Sequence, residues 1–218
     1  MKLSKQTLEI LKNFSTINTN LLIREGKKIS TISASKVIMA EFEGEDEFEE
    51  QVAFFNLQEF LGAYSTFSGP EMTLDKKFLT IQEGSRKLRY VYANEDVLIV
   101  PQKSITMPAS DVTINLTAET ISKIQKFGAI LNVDDLAIVG DGKTISIKIL
   151  DKKNPTANTF EIDLEVETTK TFNVYFKVEN LRLYVADYTV ELAKKISKWS
   201  ATGIKLNVYI AVESDSTF

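Results

Sequence analysis

The side chains available for chemistry in this chain form a restricted set. Its 218 residues include no Cys and no His. Thiol nucleophiles, disulfides, imidazole bases and the usual nitrogen and sulfur ligands of zinc or iron are therefore excluded. Carboxylates, amines and hydroxyls remain. The best enzymatic candidates are the adjacent Asp134 and Asp135, which could act as paired carboxylates beside a cleft. Adjacent acids on a turn, however, more often cap or solvate it. A denser group runs from Glu41 to Glu50, where only Phe42, Gly44 and Phe48 interrupt the acids. Carboxylates in such number could bind calcium or magnesium, but the EF-hand spacing is absent. A run of this kind reads as a solvated loop or strand edge, and no metal site is expected. No glycine-rich phosphate loop is present, neither G-x-G-x-x-G nor G-x-x-x-x-G-K. Enzyme is thus the minority class, and no cofactor is expected.

The cationic residues give a second chemistry. Net charge is −4, so a uniform distribution would repel a nucleic acid, whose affinity for proteins comes largely from Lys and Arg at phosphates. A role on DNA requires basic residues gathered on one surface. Lys5 and Lys12 are seven residues apart and fall on one helical stripe, away from Leu8, Leu11 and Phe14. Lys126 projects opposite Ile121 and Ile124, with Lys123 nearby, and Arg182 extends from a later segment. Glu9 and Glu119 dilute these faces. Exposed lysines on an amphipathic helix are usually no more than a solvated face, so this pattern alone favours the bland reading over DNA contact.

The elements that hold these residues occur twice. Leu11-Lys-Asn-Phe14, Leu21-Leu22-Ile23 and Gly26-Lys27-Lys28-Ile29-Ser30 are echoed by Ile124-Gln-Lys-Phe127, Leu136-Ala137-Ile138 and Gly142-Lys143-Thr144-Ile145-Ser146. Phe55-Asn-Leu-Gln-Glu-Phe60 similarly matches Phe176-Lys-Val-Glu-Asn-Leu181. The offset grows from 113 (Leu11 to Ile124) through 116 (Gly26 to Gly142) to 121 (Phe55 to Phe176), as loop insertions would produce. The chain reads as an α+β protein made of two copies of one domain, residues 1–107 and 108–218. Each copy opens with a helix capped by Ser4 or Thr117 and continues with strands. Ile145, Ile147 and Ile149 face one way, and Phe160–Glu167 alternates apolar with acidic residues. A second helix is expected over residues 56–64 in the first copy and 178–184 in the second. Later strands are expected at 87–92, 189–198 and 206–212.

Residues 95–110 read as the connector. Pro101 and Pro108 fix the backbone and remove donors. Ile105 and Met107 are apolar, and an extended connector with such side chains packs against something. No apolar run approaches the about 20 residues that span a membrane. Met1-Lys2-Leu3-Ser4-Lys5 leads into an amphipathic segment rather than the core of a signal peptide. With no Cys, the expectation is a reducing, cytoplasmic setting without membrane contact.

Four segments resemble a known family. Met1-Lys-Leu-Ser-Lys5 with Leu11-Lys-Asn-Phe14-x-Thr-Ile-Asn18, Phe60-Leu-Gly62, Val100-Pro-x-Lys103 and Tyr209-Ile-Ala-Val-Glu-Ser-Asp-Ser216 resemble, in order, the sliding clamps of T-even-type tailed phages. The opening motif is the most specific, and the strands around Glu41–Val52 and Pro70–Tyr92 depart from the family. The resemblance implies a DNA-clamp fold, each domain carrying two helices packed on curved antiparallel sheets. It implies a homotrimeric, head-to-tail ring around duplex DNA in the cytoplasm of an infected bacterium. Its implied partners are the DNA polymerase and an ATP-dependent clamp loader. Under this reading Lys5, Lys12, Lys123, Lys126 and Arg182 meet DNA without sequence preference. A partner peptide enters a pocket near Val100, Ile105, Met107 and Pro108, with Tyr209–Val212 as its floor. The competing reading from another class is a duplicated β-rich structural protein of a phage particle.

Overall fold

The computed structural model describes every residue from Met1 to Phe218. The chain forms two compact units, one of Met1–Ser104 with Gly203–Asn207 and one of Ile105–Thr202 with Val208–Phe218.

The first unit begins with α1 (Lys5–Ile17). Ser4 is extended, and its Oγ accepts from the Thr7 N–H at 3.1 Å. The Ser4 N–H in turn donates to the Asp46 carboxylate at 2.9 Å. Ile10, Leu11, Phe14 and Ile17 recur at helical spacing and are buried. There follow β1 (Leu21–Ile23), β2 (Gly26–Ile32), β3 (Ile38–Phe48) and β4 (Val52–Phe54), in the sheet order β4-β1-β2-β3. Next comes α2 (Leu57–Ser65), capped by Asn56, which buries Leu57, Phe60, Leu61 and Tyr64. The strands β5 (Glu71–Leu74), β6 (Phe78–Glu83) and β7 (Arg86–Val91) make an antiparallel sheet in that order. Phe54 and Phe60 lie 4.3 Å apart between ring centroids, with Tyr90 edge-on to both at 5.7 Å.

The acidic run is not a loop. Residues 41–48 belong to the eleven-residue β3, paired with β2 so that Lys28 stands opposite Glu43. Lys28 also reaches Glu41 at 3.0 Å, and Lys27 reaches Glu47 at 3.8 Å. Lysines on the neighbouring strand thus offset the charge of the acids.

The second unit repeats the plan. After β8 (Val112–Leu116) comes α3 (Ala118–Leu131), whose cap Thr117 accepts from the Thr120 N–H at 3.2 Å. The strands β9 (Asp135–Asp141), β10 (Thr144–Leu150), β11 (Phe160–Glu167) and β12 (Thr171–Lys177) take the order β11-β10-β9-β12. The last three strands of the chain, β13 (Tyr188–Ala193), β14 (Ile196–Ala201) and β15 (Lys205–Ala211), follow the order β15-β14-β13-β8, and the second unit holds β15 from Val208 onward. The repeat is visible in the ladders. Leu21 pairs with Phe54, and Leu136 pairs with Phe176. The Leu57 N–H donates to Thr19 O at 2.8 Å, as the Val178 N–H does to Asp134 O at 2.9 Å. Gly26 and Gly142 hold the same turn, at φ 110° and 87°, values a β-carbon would oppose.

Four sequence expectations need correction. The match of Phe55 to Phe176 slips by one residue. Phe54 is the buried counterpart, while Phe55 is 60% exposed. The second helix of the second copy is absent, and Val178–Asn180 makes only one 3-10 turn. No side chain caps it, and buried Leu181 and Leu183 flank exposed Arg182 in strand-like alternation. Gly128 in α3 admits this turn closely, since a β-carbon there would lie 2.6 Å from Val178 Cγ1. The single strand expected over 189–198 is a hairpin turning at Lys194 and Lys195. Finally, the alternation of Phe160–Glu167 fails at Glu165 (φ 56°), where a bulge opposite Ile145 and Ser146 leaves Val166 exposed.

The core of the second unit contains Ile145, Ile147 and Ile149 as expected, with Phe172, Val174, Phe176, Tyr188 and Trp199. Each such side chain contributes about 1.5–3 kcal/mol by leaving water.

Candidate nucleic-acid interface and connector groove

The two capped helices carry the basic side chains on their wet faces. Burying Ile10, Leu11, Phe14 and Ile17 turns Lys5 and Lys12 outward on α1, and both are exposed. Lys5 lies 3.8 Å from Glu9. On α3, burial of Ile121, Ile124 and Gly128 leaves Lys123 and Lys126 exposed. Lys123 meets Glu119 at 2.8 Å, and that contact holds the Glu119 carboxyl below its ordinary range. Arg182 is exposed, with Nε donating to Glu179 O at 3.0 Å. It borders a groove of about 470 Å³ with Gln125, Gly128 and Asn132 of the α3 end and with Lys177. Within the second unit the fold therefore brings Arg182 to α3. Lys123 and Lys126 do not line that groove.

The connector opens with a 3-10 turn, Glu95–Val97, capped by Asn94. Leu98 then packs on Leu22 and Ala53, with Tyr92, Ala93 and Val100 around it. Asn20 and Asn18 fix the backbone of Ile99, at 3.2 Å to its N–H and 3.0 Å to its carbonyl. A groove of about 240 Å³ opens beside the connector, lined by Leu22, Arg24, Lys28, Met39, Pro101 and Lys103 among others. None of Val100, Ile105, Met107 and Pro108 lines it. Val100 is half-buried in the Leu98 cluster, Ile105 and Met107 are half-buried, and Pro108 is exposed. Tyr209 and Ile210 are buried strand residues, Ile210 O accepting from the Ser197 hydroxyl at 3.0 Å.

Sequence reasoning missed one ionic network. Asp135, 1% exposed, accepts from Lys177 Nζ at 2.6 Å and lies 4.0 Å from Lys152. Lys152 bridges on to Asp215 at 2.8 Å. Asp135 is thus a buried, doubly countered carboxylate, neither a turn cap nor half of a catalytic pair with the exposed Asp134. Its partners lie 17 and 42 residues away, a separation that leaves no trace in local spacing. No group of three or more Asp or Glu side chains converges to hold a metal ion. No helix is long and apolar enough to cross a membrane.

The network has a titration signature. The hydrogen bond to Asp135 is the main influence holding Lys177 above its ordinary pKa of 10.5, with burial opposing it. A raised folded-state value means the stabilisation is complete below pH 10.5 and is lost as pH climbs through the folded pKa. Lys177→Met should therefore flatten the alkaline limb of a stability–pH curve. An unchanged limb in urea melts above that pH would refute the assignment. Asp215 is held below 3.8, chiefly by its bond from Lys152, so its contribution is lost only as pH falls below that value.

No protein-family model matches the chain. Named relatives do. The sliding clamp of Vibrio phage KVP40 is 30% identical over 98% of this chain and all of that protein. The sliding clamps of Escherichia phage RB69 and Enterobacteria phage T4 are 28% and 27% identical, each over the whole of this chain and 99% of its own length. Among solved structures, the proliferating cellular nuclear antigen of Entamoeba histolytica superposes with a TM-score of 0.66 at 13% identity, covering 95% of this chain and 94% of that one. The β clamp of Helicobacter pylori superposes at 0.69 and 10% identity over 94% of this chain and 63% of that one. These likenesses share the fold, three helices here resting on antiparallel sheets. The reading as a duplicated component of a phage particle accordingly gives way. Matched end to end by three phage proteins of one name, the chain belongs to the sliding clamp family of T4-like phages.

Proposed function

We propose that three copies of this chain close head to tail into a ring around duplex DNA and hold the replicative polymerase there, without catalysis of their own. The observation that carries the reading is the end-to-end identity with phage sliding clamps. The exposed lysines of α1 and α3 in a chain of net charge −4 support it. Such a ring holds by topology. Direct contacts to phosphates then need only be weak and indifferent to sequence. A polymerase tethered to it gains effective concentration at the primer end.

The partner sites follow by analogy. The A. fulgidus PCNA was solved with the C-terminal region of FEN-1 bound, and the H. pylori β clamp with a DNA ligase peptide. The groove beside Pro101 and Lys103 is where we place the segments supplied by the polymerase and an ATP-dependent loader. The setting is the cytoplasm of an infected bacterium.

Gel filtration with light scattering tests the ring, which requires a mass near three times 24.5 kDa. Protein loaded on a nicked circular plasmid should co-elute with it and leave when the circle is cut. Equal retention on linear DNA, or a monomer at every concentration, would overturn the proposal.

A further inference from the structure

An edge strand offers unpaired N–H and C=O groups to any extended chain that reaches it, and proteins usually cover such edges. The two units cover one equivalent edge in the same way and then part company. In the first, β4 ends its sheet, and the chain that leaves β7 returns to it, the Ala93 N–H donating to Ala53 O at 3.0 Å. In the second, β12 ends its sheet, and the chain that leaves β15 returns to it, the Glu213 N–H donating to Tyr175 O at 3.0 Å. Ala53 and Tyr175 are equivalent, since each precedes the phenylalanine that pairs with Leu21 or Leu136. In the first unit Leu98 then buries itself on Leu22 and Ala53 and seals the cover. In the second, no residue of the strap Val212–Phe218 is buried.

Hydrogen bonds and an ion pair hold the strap instead. Asn173 and Thr217 exchange two bonds of 3.0 and 2.8 Å, and the Tyr175 N–H donates to Ser216 Oγ at 2.9 Å. The charges beneath are unbalanced within salt-bridge distance. Buried Asp135 faces two lysines, Lys177 at 2.6 Å and Lys152 at 4.0 Å. One cation is left over, and Asp215 of the strap meets it, at 2.8 Å from Lys152 Nζ. Glu213, also of the strap, and Asp134 act on Lys177 from farther off. Lys152 lies over the Tyr175 ring, 4.9 Å from its centroid, and its side chain is only 17% exposed. A carboxylate brought there is screened less than one in open water. The edge therefore selects two features in its occupant, an extended backbone along Asn173 and Tyr175 and a carboxylate on Lys152.

We propose that the strap is releasable, and that the β12 edge it vacates takes an extended acidic peptide of a partner protein by strand addition, with an Asp or Glu side chain on Lys152. Recognition of this kind draws affinity from main-chain hydrogen bonds and specificity from the side chains between them. The strap shows the bound form. Joined to β15, it competes for the edge at high effective concentration, so a partner gains the site only by displacing it. This edge belongs to the second unit and is separate from the groove beside Pro101 and Lys103, which belongs to the first.

The strap's own sequence, Ala211-Val-Glu-Ser-Asp-Ser-Thr-Phe218, supplies the probe as a fluorescent peptide. Thr217→Pro removes the N–H that Asn173 O accepts and opens the edge in the full chain. The peptide should bind this variant about tenfold or more tightly than the wild type, whose strap competes. Its Asp215→Asn form should lose about tenfold in affinity for the opened chain. In the wild type, hydrogen exchange at the Asn173 and Tyr175 amides should outpace that at Val174 and Phe176 within the β9 ladder, and Thr217→Pro should quicken the first two alone. Circular dichroism checks the fold, and Asp215→Asn in the chain is the milder opening variant. No binding to the opened chain at millimolar peptide, equal binding of the two peptides, or wild-type edge amides as slow as Val174 and Phe176 would each overturn the proposal. All three outcomes leave the clamp reading standing.

Discussion

A chain in which Lys5, Lys12, Lys123 and Lys126 are all alanine should bind duplex DNA with a log K against log salt slope shallower by about 3 to 4 than the wild type. The estimate follows from counterion release, since each lost lysine–phosphate contact removes about 0.9 from the slope. The four side chains are exposed on α1 and α3, and alanine favours the helix at least as well as lysine. Only the surface pairs Lys5–Glu9 and Lys123–Glu119 are lost to the fold. Both pairs lie in open solvent, where screening leaves little net attraction, so stability should hardly move. Lys12 and Lys126 carry no ion pair and should account for the larger share of the effect. Titration of a fluorescent duplex over a range of salt concentrations measures it. A slope equal to the wild type's would remove these helices from the DNA-facing surface and return their lysines to the status of a solvated face.

The largest expected loss of stability comes from Trp199→Ala, at about 3–5 kcal/mol. Trp199 has no exposed surface and lies edge-on to Phe176 and Tyr188, with ring centroids at 6.0 and 6.3 Å. Its Nε1–H donates to Ser197 Oγ at 2.9 Å, and that hydroxyl donates to Ile210 O at 3.0 Å. Truncation opens a cavity among three strands and leaves the buried hydroxyl without its donor. For a domain of this size the change corresponds to a fall in Tm of about 10 °C. A urea midpoint read by circular dichroism should drop with the slope unchanged. Phe55→Ala, at an exposed ring, serves as the control and should shift stability by less than about 0.5 kcal/mol. Equal midpoints for the two variants would contradict the burial described.

The parts of this fold that were legible in the sequence rest on local signals. Ser4 and Thr117 announce helices through capping geometry, and the isoleucines of β10 announce a strand through strict alternation. Gly26 and Gly142 mark the same turn in both copies because both need φ above zero. Where local signals conflict, tertiary packing decided. Residues 178–184 contain helix formers, yet Leu181 and Leu183 are both buried while Arg182 between them is exposed, a pattern a helix cannot deliver. The turn between β13 and β14 has Lys194-Lys195 where Gly, Asn or Pro would have signalled it. In the connector, apolar character pointed to Ile105 and Met107, but the groove borders the polar stretch just before them. Sequence also showed the alternation of β11 without showing that the strand ends its sheet, because sheet order is a property of the fold and not of spacing.

Trp199 is the one tryptophan of the chain, and it lies in the second unit. Its intrinsic fluorescence is therefore a site-specific optical probe that the protein already carries. An indole sealed from water emits to the blue, and its shift to the red times the opening of the second unit alone. Far-ultraviolet ellipticity, by contrast, sums over α1, α2 and α3 in both units. If the two signals trace one curve under denaturant, the duplicated halves melt as a single cooperative body; if they part, each half has its own transition.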